Sequence, residues 1–104
     1  DFKPIIGDGL RYHGCSPVLS LLRRHGYIDM VAYPIDEKYV FDKAMTFMQT
    51  EGWIPAPESA YGITCAIDEA LKCKRTGEKK VIAFNVSGHG FLDIHGYQEV
   101  LGVK

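Results

Sequence analysis

Apolar residues recur along this chain in two rhythms. After Ser16-Pro17, an N-cap followed by a first-turn proline, Val18, Leu19, Leu21 and Leu22 mark a short helix that stops at His25-Gly26. The run from Tyr27 to Tyr33 is rich in strand formers and is closed by Pro34, which predicts a first strand over about 28–33. Asp36 and Glu37 then place negative charge in a first turn. Val40, Ala44, Phe47 and Met48 follow at helical spacing, so a second helix is expected to about Glu51. Gly52 ends it. Trp53-Ile54-Pro55-Ala56-Pro57 has to be extended, because each proline disfavours the α region for the residue before it. A third helix opens at Glu58-Ser59, with Ile63, Ile67, Ala70 and Leu71 as its apolar stripe, and Gly77 lies in the loop after it. The second strand is expected from about Lys80 to Val86.

Strands alternating with helices predict an α/β fold built on a parallel sheet, with the second and third helices packed on it. Two strands cannot complete such a sheet or cover both its edges. The expected architecture is therefore a fragment of a three-layer α/β/α domain, with two parallel strands and about three helices. The sequence also begins at Asp1, in mid-segment, which suggests a piece of a longer polypeptide.

Composition changes this picture little. The chain has 104 residues, 46% of them hydrophobic and 24% charged, with a net charge of −1, so one ordinary globular unit is expected. No overall field favours nucleic acid or an anionic membrane. The basic cluster Lys72, Lys74, Arg75, Lys79 and Lys80 is interrupted by Glu78 and reads as a helix end and solvated surface. Cys15, Cys65 and Cys73 are odd in number and lack CxxC spacing, so neither a disulfide framework nor a zinc site is expected. Without a signal peptide or a membrane-length apolar run, a cytoplasmic location is the expectation.

The most informative junction is where Val81-Ile82-Ala83-Phe84-Asn85-Val86 breaks into Ser87-Gly88-His89-Gly90. A buried strand of a parallel sheet ends at a ligand site more often than elsewhere, and glycines there let a flat ligand approach the backbone. A plain strand-to-loop turn is the competing reading. A dinucleotide motif fails because Asp93 stands where the third glycine belongs. A hydrolase elbow fails because Asn85, not glycine, lies two residues before Ser87. His89, Asp93 and His95 lack a regular element to set metal-ligand spacing.

Three segments carry a resemblance when taken together: Gly9-Leu10-Arg11-Tyr12-His13-Gly14, then Glu51 to Ser59, which ends in Pro55-Ala56-Pro57-Glu58-Ser59, then Phe84 to Gly90. In this order and at these separations they resemble the tryptophan synthase β chains, most closely the divergent second group of archaea and some bacteria. The resemblance implies a pyridoxal-phosphate enzyme of the β-replacement (type II) fold. Residues 1–104 would be the C-terminal portion of its catalytic domain. It further implies condensation of L-serine or O-phosphoserine with indole to L-tryptophan. The full-length form would be a homodimer, with pairing to an α subunit left open.

By the same resemblance, Ser87 contacts the pyridine nitrogen of the cofactor, Gly88 lets the backbone pass close, Glu58 lies beside the ring, and Gly9 lines the cofactor cavity. A neutral hydroxyl at that nitrogen cannot hold it protonated as a carboxylate would, which favours β-elimination. Glu58 also suits the dipole at a helix start. Leu10, Tyr12 and Gly14 match positions whose carbonyls face a monovalent cation. Arg11 stands where the standard pattern has an aspartate. Its planar fork suits an anionic leaving group such as phosphate, and an ion pair with Asp8 or Glu58 is the competing reading.

The family's Schiff-base lysine, catalytic glutamate and Gly-rich phosphate cradle all precede the region of resemblance, so no catalytic residue is expected in this chain and it should be inactive alone. The alternatives are another type II enzyme, such as a threonine synthase-like lyase, or a non-catalytic α/β interaction module.

Overall fold

A computed structural model describes residues 5–12, 14–31 and 36–102. They form four α-helices: α1 (Pro17–Arg24), α2 (Glu37–Glu51), α3 (Pro57–Thr76) and α4 (Ile94–Leu101). Two 3₁₀ turns, Asp8–Leu10 and Gly90–Leu92, complete the regular structure.

The helix boundaries follow the local chemistry. The Ser16 hydroxyl accepts the Leu19 N–H at 3.2 Å, with Pro17 in the first turn of α1. Asp36 does the same for α2 through the Tyr39 N–H, also at 3.2 Å. Gly52 and Gly77 close α2 and α3 in the left-handed conformation, and each N–H returns to the carbonyl four residues back. No described helix is long and apolar enough to cross a membrane.

The core lies where α2 packs on α3 and α4. Val40, Phe41 and Ala44 of α2 are fully buried, as is Ala60 of α3, and the buried Tyr97 ring of α4 meets Phe41 edge-on at 4.6 Å between centroids. Ile6, Ile54, Val100 and Leu101 pack around this cluster. The stripe expected on α2 is thus only partly the core stripe: Val40 and Ala44 belong to it, Phe47 and Met48 are half-buried, and Phe41 was not in it. On α3, Ile63 is buried, Ile67 is half-buried, and Ala70 and Leu71 are exposed.

The α/β expectation is corrected here. No strand forms among the described residues. Residues 28–31 are irregular, and the rest of the first expected strand, 32–33, lies outside the described residues. Residues 80–86 run as irregular chain with Val81 fully exposed. The physical reason is that a strand is made by its ladder to a neighbour, and apolar β-branched residues supply the preference without the partner. A further departure is α4, which the sequence reading left as tail.

Candidate functional site

The first turn of α3 is where distant segments meet. Prolines at 55 and 57 hold the approach extended, with Ala56 at φ −61° and ψ 148°, and Pro57 occupies the first helical position, where a missing N–H costs nothing. Glu58 and Ser59 follow on the first turn, and each reaches out to another part of the chain.

Glu58 reaches the Asp8–Leu10 turn. Its Oε1 accepts the Gly9 N–H at 3.0 Å. A Cβ at residue 9 would lie 3.1 Å from Glu58 Cγ and 3.3 Å from Oε1, so glycine is what lets the turn settle against the carboxylate. Ser59 reaches the 87–90 loop. Its buried hydroxyl donates to the Ser87 carbonyl at 2.9 Å and accepts the Ser87 N–H at 3.1 Å. Gly88, at φ 65°, continues the loop beside Ala56, whose Cβ is 3.6 Å from where a Cβ of residue 88 would stand.

Two further bonds hold the approach to α3. The Gly90 N–H donates to the Ile54 carbonyl at 2.8 Å, and the Tyr97 hydroxyl donates to the Pro55 carbonyl at 2.7 Å. Burial, reinforced by the Asp93 charge, pushes the Tyr97 phenol well above its ordinary range, so it stays a donor. His89 caps the following turn, its Nδ1 accepting the Phe91 N–H at 3.3 Å.

The structure therefore brings together Gly9, Glu58, Ser87 and Gly88, the residues expected at the cofactor. Glu58 and Ser87 are linked through a single intervening residue, Ser59. Ser87 itself is exposed. Arg11 is engaged within its own segment: its Nε donates to the Ile5 carbonyl at 2.9 Å, a second guanidinium N–H reaches the same oxygen, and Nη1 lies 3.1 Å from Asp8 Oδ1. Leu10, Tyr12 and Gly14, the positions expected to offer carbonyls to a cation, are each exposed. Sequence reading gave Ser59 no role beyond opening a helix and gave Tyr97 none. Nothing local in the sequence marks either, because their partners are 28 and 42 residues away.

No protein-family model matches the chain. Curated relatives do. The chain is 58% identical over 99 residues to tryptophan synthase beta chain 2 of Aquifex aeolicus, covering 95% of the chain and 22% of the relative. It is 54% identical over 101 residues to the protein of the same name from Thermococcus kodakarensis, again 22% of that relative's length. It is 54% identical over 95 residues to that of Methanosarcina acetivorans, 21% of its length. The chain thus spans about a fifth of these relatives while aligning over at least 91% of itself. With more than half of the aligned residues identical across almost all of its length, this chain is similar to a part of the tryptophan synthase β chains.

Proposed function

We propose that the chain is the C-terminal portion of a pyridoxal-phosphate-dependent lyase that condenses L-serine or O-phosphoserine with indole to give L-tryptophan. The observation that carries this reading is the gathering of Gly9, Glu58, Ser87 and Gly88 around the first turn of α3. These residues come from three stretches far apart in sequence. The remainder of the β chain supplies the lysine, the catalytic glutamate and the phosphate cradle, and the whole works as a homodimer in the cytoplasm, a monovalent cation lying near Leu10, Tyr12 and Gly14.

The residues present suit the cofactor. Glycine at 9 and 88 keeps side chains out of the space beside Glu58 and Ala56, and an exposed hydroxyl sits on a backbone held at both its N–H and its carbonyl. Bound there, pyridoxal phosphate supplies the electron sink for breaking bonds at the amino acid's α and β carbons. The Ser87 hydroxyl would face the ring nitrogen as a neutral group and would not hold it protonated. Glu58, tied to the Gly9 N–H, holds the Asp8–Leu10 turn in place, and both would stand beside the cofactor.

The test is Ser87→Asp in the full-length β chain. A carboxylate facing the nitrogen would keep it protonated, and tryptophan formation is expected to fall on the order of tenfold to a hundredfold, the size of a charge-assisted bond at the wrong place. The absorption spectrum of the serine-loaded enzyme should change with it. Unchanged turnover and spectrum would remove Ser87 from the site. Formation of tryptophan from indole by the unmodified enzyme separates this reading from a threonine synthase-like lyase and from a non-catalytic module.

Arg11 has a separate test. Were it to contact the leaving group, Arg11→Ala would lower kcat/KM for O-phosphoserine about tenfold to a hundredfold more than for serine. Equal losses on both donors would make it a brace of the turn. Its bonds to Ile5 and Asp8 favour equal losses.

A further inference from the structure

We propose that Ser59 is the positioning residue for Ser87: its one hydroxyl holds both backbone polar groups of Ser87 and so sets where the Ser87 side chain points. This rests on the reading that Ser87 faces the cofactor, and adds to it the group that aims the contact.

The geometry is specific. A single oxygen, Ser59 Oγ, donates at 2.9 Å and accepts at 3.1 Å on the same residue, so the Ser87 carbonyl and N–H are held to one point. That point is rigid, since Ser59 is buried in the first turn of the longest helix. At this third helical position a longer polar side chain commonly turns back to the N-cap N–H. Here Ala56 is the N-cap and no side chain caps it, while the hydroxyl is turned outward to a loop 28 residues away. On the far side of Ser87, Gly88 sits at φ 65° against Ala56. With both its backbone groups and its successor held, residue 87 keeps mainly its χ1 rotation, and rotamer choice alone then places its hydroxyl. Glu58, the neighbour of Ser59, is held to Gly9, so one helical turn sets the relative placement of both side chains expected at the ring.

The experiment is a double-mutant cycle in the full-length β chain, with pyridoxal phosphate titrated into the cofactor-free enzyme and its dissociation constant read by absorbance. Ser87→Ala is expected to weaken binding about fivefold to tenfold, the loss of one neutral hydrogen bond. Ser59→Ala should weaken it similarly in the unmodified enzyme and by less than about twofold once Ser87 is alanine, because a residue acting through another has no effect when that other is gone. Ser59→Cys, which is slightly larger and weakens both bonds, should fall between and serves if the alanine variant does not fold. The thermal midpoint of the cofactor-free protein, measured alongside, reports the structural share. Equal weakening by Ser59→Ala in both backgrounds, or none in either, would overturn the positioning role alone. No weakening by Ser87→Ala would overturn the placement of Ser87 at the cofactor, and the positioning role with it.

Discussion

Truncating Phe41 to alanine is expected to lower the unfolding free energy by about 3–5 kcal/mol, the range for deleting a buried aromatic ring. Phe41 is fully buried and is the largest of the fully buried side chains. Its ring stands edge-on to Tyr97 at 4.6 Å, inside the cluster that also holds Val40, Ala44 and Ala60. The loss would spread from there to the site. Tyr97 fastens α4 to the Pro55 carbonyl, two residues before α3 begins, so a cavity beside Tyr97 loosens the approach to Glu58 and Ser59. Denaturant unfolding of the full-length β chain would measure it, with Lys38→Ala as the comparison. Lys38 pairs with Asp42 across an exposed helix face, and its loss should cost no more than about 0.5 kcal/mol. Were the two variants to unfold at the same midpoint, Phe41 would not be the centre of the core.

Gly90→Ala is expected to be the other severe change, for a steric reason. A Cβ at residue 90 would lie 2.5 Å from Ile54 Cγ2, 2.5 Å from the Pro55 oxygen and 3.3 Å from the Pro55 carbonyl carbon. The Ile54 methyl can rotate aside, but the Pro55 peptide cannot. It is fixed by the Tyr97 hydroxyl on its oxygen and by the prolines at 55 and 57. The added methyl therefore breaks the Gly90 N–H bond to Ile54 or displaces the approach to α3. The expected destabilisation is at or above the top of the range for overpacking, about 3 kcal/mol. Because residues 87–90 and 54–59 move apart, cofactor affinity should fall along with the thermal midpoint. Gly62→Ala offers the contrast, since its Cβ would meet only the Asn85 oxygen at 3.8 Å inside α3. It should be neutral or stabilising by up to about 1 kcal/mol. Similar behaviour of the two glycine variants would dismiss the close approach at residue 90.

The helices were legible because their signals are local. Ser16, Asp36, Gly52 and Gly77 act within four residues of their own positions, and they begin or end α1, α2 and α3 as their chemistry demands. The candidate site was legible by a different route, the similarity of three motifs to a family. That similarity named Gly9, Glu58, Ser87 and Gly88 while saying nothing of how they meet. The expected strands do not form among the described residues, because Val81 to Val86 carries the preference of a strand but its ladder partner is a non-local matter. Helix α4 was missed because the glycines and histidines at 88–96 mask a short amphipathic turn.

Sequence by itself determined where three of the four helices start and stop, which family the chain resembles, and which side chains bear the chemistry expected of it. Only the tertiary structure decided that Phe41 rather than Phe47 would be central, that Tyr97 would close over Pro55, and that Ser59 would hold Ser87. The reason is one of range. Caps, prolines and helical periodicity act over a single turn of backbone, whereas burial and hydrogen bonds across 28 or 42 residues exist only once the helices have packed.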